Sequence, residues 1–181
     1  MHSFFGIQLA LDLPPGHAVR SGLAAAVTTL RDNPTPVAQR PCWGKVAGLL
    51  RPAVSTAVLG TWDLIRDRGD AEYEDWASGL EEMAEWPAED FGTGDQLLLV
   101  SLIFLVAANS NADRTLGDLC DLPESAWHRR ATYAKLLGAP PQLNFMGVLG
   151  SGLYLAPHPD QSGFSEQVLS GEGFEYLTRV V

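Results

Sequence analysis

"LLLVSLIFLVAA", Leu97 to Ala108, is the most apolar stretch of the chain, and the way it is read sets the fold. Its 12 residues between Gln96 and Asn109 would make about 18 Å of helix, well short of the roughly 30 Å of a bilayer core. The run therefore predicts a helix buried on all sides rather than a membrane span, with Thr93 or Asp95 as its cap.

On its N-terminal side lies "DAEYEDWASGLEEMAEWPAED", Asp70 to Asp90, which contains no Lys or Arg. At about 100° per residue a helix over 70–85 gathers Tyr73, Trp76, Ala77, Leu80, Met83 and Ala84 on one face. Glu74, Asp75, Glu81, Glu82 and Glu85 fall on the other. Pro87 stops the helix and turns Trp86 out of helical geometry, away from the apolar stripe.

Charge sharpens this picture. The 181 residues carry 22 acids against 12 Lys and Arg, a formal −10. Twelve of the acids lie between Asp63 and Asp95, opposed only by Arg66 and Arg68, while the other ten acids balance the other ten bases. Such a field repels nucleic-acid phosphates and anionic membranes and attracts basic partners. Neither nucleic acid nor membrane is therefore expected as a partner.

Further out, Phe5, Ile7, Leu9, Leu11 and Leu13 alternate with smaller or polar residues and predict a strand over 5–13. Helical spacing of Leu23, Val27 and Leu30 predicts a helix over 17–32. Pro34, Pro36 and Pro41 suggest an extended linker, and Pro52 opens a helix to Arg68 carrying Val54, Val58, Leu59, Trp62 and Ile65. Beyond the apolar run, a short helix over 116–122 and a longer one over 123–138 are expected. The glycine-rich tail, 139–181, allows either a hairpin at Gly150-Ser151-Gly152 or an irregular helix. "FEYLTRVV" allows a last strand able to pair with the first. The expectation is one mainly α domain, a bundle of about six helices, with a possible small β element joining the two ends. Cys42 and Cys120 form no metal or disulfide motif and suit a reducing cytoplasm. The opening "MHSFFGIQLALDLPPG" has no Lys or Arg ahead of its apolar run, Asp12 breaks that run, and the stretch reads as part of the fold.

Catalytic and metal motifs are weak. "NSNADRTLGDLC" places Asn109, Asn111 and Asp113 where an EF-hand loop has ligands, but Arg114 and Cys120 stand where that loop needs Gly and Glu. Glu124 and His128 are four apart, and the bundle metal template needs two Glu-x-x-His motifs. "HPD", His158 to Asp160, is the tripeptide of J-domain co-chaperones, and "YAKLLGAPP" resembles their opening segment. The residues before HPD carry no positive charge, so the tripeptide reads as a proline turn. Ser151 in "LGSGL" lacks nucleophile-elbow spacing, and "GVLGSG" is not a dinucleotide loop.

What remains is the acidic helix, whose like charges repel unless something basic lies opposite. The chain's own His128, Arg129, Arg130 and Lys135 could supply that, as could a second copy or a foreign protein. The reading is a non-enzymatic protein, without cofactor, that binds a basic partner as adaptor, regulator or immunity-type inhibitor. Its contact residues are Glu74, Asp75, Glu81, Glu82, Glu85 and Trp86. The alternative is a metal-dependent enzyme or divalent-cation binder, with Asn109, Asn111 and Asp113 as candidate ligands.

Overall fold

The structure, a computed structural model, describes residues 1–84, 86, 97–158 and 161–181. Its centre is a five-stranded sheet rather than a helical bundle. In chain order the strands are β1 (His2–Asp12), β2 (Ala57–Ile65), β3 (Leu97–Ala107), β4 (Val148–Ala156) and β5 (Thr178–Arg179). They lie in the order β4-β3-β1-β2-β5, every neighbouring pair antiparallel. Six α-helices are present among the described residues, as expected in number, but they cover the faces of the sheet, and the fold is α/β.

The apolar run from Leu97 to Ala107 is thus a strand and not a helix. Leu98, Val100, Leu102, Phe104 and Val106 enter the main core on one face of β3, while Leu97, Leu99 and Ile103 are buried on the other. A strand covered on both faces needs apolar residues at every position, so alternation disappears and the run looks like a buried helix. β1 beside it is also buried on both faces, from Ser3 to Leu11, and here the predicted strand holds.

The main core lies between the Phe5, Ile7, Leu9, Leu11 face of β1 and a layer of four helices. These are α1 (Ala18–Asp32), α2 (Pro36–Ala53), α4 (Asn111–Cys120) and α5 (Arg130–Leu136). α1 matches its prediction. α2 replaces the expected linker: Thr35 caps it, Pro36 takes its first turn where a missing N–H costs nothing, and Pro41 and Pro52 lie inside it. The helix expected from Pro52 onward is instead the end of α2 followed by β2, whose Val58, Leu59, Trp62 and Ile65 had mimicked helical spacing. Gly60 of β2 is required, because a Cβ there would lie 2.7 Å from Leu9 and 3.0 Å from the Tyr133 ring of α5. The expected helix over 123–138 is broken, with a 3-10 turn at Glu124–Ala126 and α5 beginning only at Arg130.

The opposite face carries α3 (Gly69–Ala84), the amphipathic helix read from its charge pattern, packed on β1, β3 and β4. Beside it the tail folds back over the sheet, and Phe164, Leu169, Phe174 and Leu177 cover Ala10, Leu59 and Leu99. This tail includes a four-residue helix, α6 (Glu166–Leu169). Its glycine-rich part is one strand, β4, rather than a hairpin or helix, and the last strand pairs with β2 instead of β1. Buried Arg20 fastens the tail, donating from Nε to Leu13 O at 2.6 Å and from Nη1 to Gln161 O at 2.8 Å. No helix among the described residues is long and apolar enough to cross a membrane.

Candidate functional site: an acidic groove with aromatic walls

Helix α3 sits close to the sheet because two glycines permit it. A Cβ on Gly69 would collide with the backbone carbonyl of His2, and one on Gly6 would meet the Trp76 ring at 3.0 Å. Trp76 instead packs over Phe4, with ring centroids 5.1 Å apart. Along the flank of α3 that faces away from β4, the helix and the returning tail leave a groove of about 540 Å³.

Gln8, Thr61 and Asp63 form its floor, and Asp75, Trp76, Gly79, Glu82 and Met83 its α3 wall. Trp86, Phe174 and Tyr176 close it from the other side. The Gln8 side chain is buried and fixed, donating from Nε2 to Ser101 Oγ at 2.9 Å on the neighbouring strand. Burial pushes the Tyr176 phenol up from its ordinary pKa, partly offset by a hydrogen bond with Gln8, so the wall it forms is neutral. Trp86 meets Phe164 and Phe174 edge to face, at centroid distances of 6.5 and 5.9 Å. A Cβ on Gly79 would have nothing within 4 Å, which leaves the middle of the groove open. Among the described residues no ion pair engages Asp63, Asp75 or Glu82.

The acids read as one surface from the sequence divide into two. Asp75 and Glu82 line the groove with Trp86. Glu81 stands on the β4 side, where its charge adds to burial in pushing Tyr73 up to about 12 and also raises Tyr154. Glu74 is exposed and lines no part of the groove, and Glu85 lies outside the described residues. Arg129 and Lys135 do not answer these charges, because α5 packs on the other face of the sheet from α3. Phe174 and Tyr176 were missed by the sequence reading. Their one signal was an aromatic pair in a tail otherwise rich in glycine.

The other candidates hold their own contacts. Ser110 caps α4 by accepting from Asp113 N at 3.1 Å, and Asp113 Oδ2 accepts from Asn109 N at 2.9 Å. Arg114 donates to Asn109 O and to the Asn111 side chain, so a guanidinium occupies the oxygen-rich turn that offers Asn109, Asn111 and Asp113 as metal ligands. Among the described residues no three His, Cys, Asp or Glu side chains gather as a metal set. Pro159 and Asp160 of the HPD tripeptide lie outside the described residues. A wider hollow of about 730 Å³ between β2 and α4 mixes Arg66 and Arg114 with Asp63, Asp118 and Asp121, and so presents no single charge to a ligand.

Comparison of the chain with protein-family models, with curated proteins and with solved structures finds no match in any of the three.

Proposed function

We propose that this protein binds a basic segment of another protein, and that the groove beside α3 receives one of its arginine or lysine side chains. The observation that carries the reading is the conjunction of aromatic walls with unpaired acids. Trp76, Trp86, Phe174 and Tyr176 surround a space also lined by Asp63, Asp75 and Glu82. A guanidinium is suited to such a place, since its plane stacks on aromatic rings while its edge donates to carboxylates. The concentration of the chain's net charge in residues 63–95 would draw a basic partner toward the same face. A regulator, adaptor or immunity-type inhibitor of a basic protein fits these features. The two thiols, neither in a disulfide, suit a cytoplasmic setting.

The test uses short peptides bearing a single arginine, read by tryptophan fluorescence, with citrulline in place of arginine as the uncharged control. Saturable binding of the arginine peptide is expected. It is lost in the exposed double variant Asp75→Asn/Glu82→Gln and in Gly79→Leu, which fills the groove. Equal binding of the citrulline peptide, or no binding of either, overturns the reading.

A further inference from the structure

Among the described residues β4 is the long edge strand of the sheet, and hydrogen-bond parity reveals which of its backbone groups face outward. Leu97 exchanges two hydrogen bonds with Phe164, Leu97 N to Phe164 O at 3.1 Å and Phe164 N to Leu97 O at 2.8 Å. β1 already occupies the other flank of β3, where Asp12 pairs with Leu97. The Leu97 groups therefore point to the β4 side, and alternation aims those of Leu99, Ser101 and Ile103 the same way. Their partners on β4 are Ala156, Tyr154 and Gly152. Ala108 N, of opposite parity, bonds Met1 O on the β1 side, in agreement. The N–H and C=O groups of Ser151, Leu153 and Leu155 consequently point out of the sheet, and no hydrogen bond from the described residues reaches them.

We propose that this edge pairs with β4 of a second copy of the chain, antiparallel about a two-fold axis at Leu153. That register sets Leu153 opposite itself and Ser151 opposite the partner's Leu155, so all three outward residues exchange hydrogen bonds with one another. It also places Tyr154 across from the partner's Gly152, over which that copy's own Tyr154 ring lies. The bulge beyond Gly150 falls outside the paired stretch.

Charge selects a second copy as the occupant. "VLGSGLYLA" has no charged residue in a chain of net charge −10, so the paired strands themselves set no like charges opposite one another. A basic partner would find nothing on it to pair with. The other edge is managed differently: β5 has two residues, and its Arg179 is exposed and paired with Glu166 at 3.1 Å. Short length and charge are the usual protections of an edge strand, and β4 has neither.

Sedimentation over a concentration series, with residue-resolved amide exchange on the same samples, tests the pairing. A dimer is expected in which the amides of Ser151, Leu153 and Leu155 gain protection as concentration rises, while those of Gly152 and Tyr154 are protected throughout. Ser151→Pro, which removes an outward N–H twice per dimer, is expected to weaken association by about tenfold or more. Ser151→Ala retains that N–H and leaves association unchanged. A monomer at every concentration overturns the proposal, as does a dimer whose three outward amides exchange freely. A chain whose edge is protected only by an added extended peptide of foreign sequence overturns the assignment to a second copy. If Ser151→Pro fails to fold, the amide pattern of the native chain decides.

Discussion

Trp86 and Phe174 meet edge to face, with ring centroids 5.9 Å apart and planes at 79°. The contact joins the exit of α3 to the returning tail, which are neighbours only in the folded chain. It makes the groove a product of tertiary packing rather than of either segment alone.

Phe174 is buried and supports that packing, whereas Tyr176, 47% exposed, only lines the groove. Phe174→Ala should cost about 3–5 kcal/mol, as expected for emptying a buried aromatic site. Tyr176→Ala should change stability by less than about 1 kcal/mol yet weaken peptide binding. Denaturant unfolding of the two variants checks the contrast.

Two glycines respond oppositely to the same added methyl. At Gly60 the new Cβ would meet Leu9, the Tyr133 ring and the Gln8 carbonyl within 3.1 Å, so Gly60→Ala should destabilise by about 1–3 kcal/mol through overpacking. At Gly79, inside α3, the Cβ enters open space, so Gly79→Ala should stabilise by about 0.5–1 kcal/mol through helix propensity. Thermal melts that move the same way for both would contradict the packing described for β2.

Asp70, near the start of α3, holds a hydrogen bond with His2 Nδ1 at 2.6 Å. That bond, more than any other influence, lowers the Asp70 pKa from its ordinary value. A carboxylate depressed in the folded state contributes stability above its unfolded pKa of about 3.9. The contribution disappears as pH falls through the lower folded value. Carboxyl NMR titration should therefore find Asp70 below its ordinary value in the native chain, and His2→Ala should raise it.

Burial pushes the Cys120 thiol up to about 12, against the weaker pull of Lys135 and Arg66. Since the thiolate is the reactive form, Cys120 should resist iodoacetamide at neutral pH in the folded protein. Its alkylation should accelerate on unfolding. Mass spectrometry after timed quenching reads both rates, and fast native labelling would show the thiol is not so enclosed.

The elements legible in the sequence were those with one wet face or one clear period. α3 separates its acids from Leu80 and Met83, and α1 keeps Leu23 and Leu30 on one side. β1 kept its alternation because its second face is filled by small or polar residues, Gly6, Gln8 and Ala10. β3 lacks that contrast, since large aliphatic residues cover it on both sides, and hydropathy alone does not separate such a strand from a buried helix. β2 was hidden by a coincidence of spacing. The candidate site was half legible for the same reason: Asp75, Glu82 and Trp86 are local to α3 and its exit, while Phe174 and Tyr176 arrive from a distant segment that no local pattern connects to them.

The position of β1 also bears on synthesis. It precedes its central partner β3 by about ninety residues, Leu9 lying opposite Val100. At a ribosomal rate of about 5–20 residues per second, β1 waits roughly 5–20 s for that partner. For more than half of that interval, until β2 with Gly60 opposite Leu9 has been made, the most apolar early segment of the nascent chain has no strand to pair with, and its β3 flank stays open for the remainder.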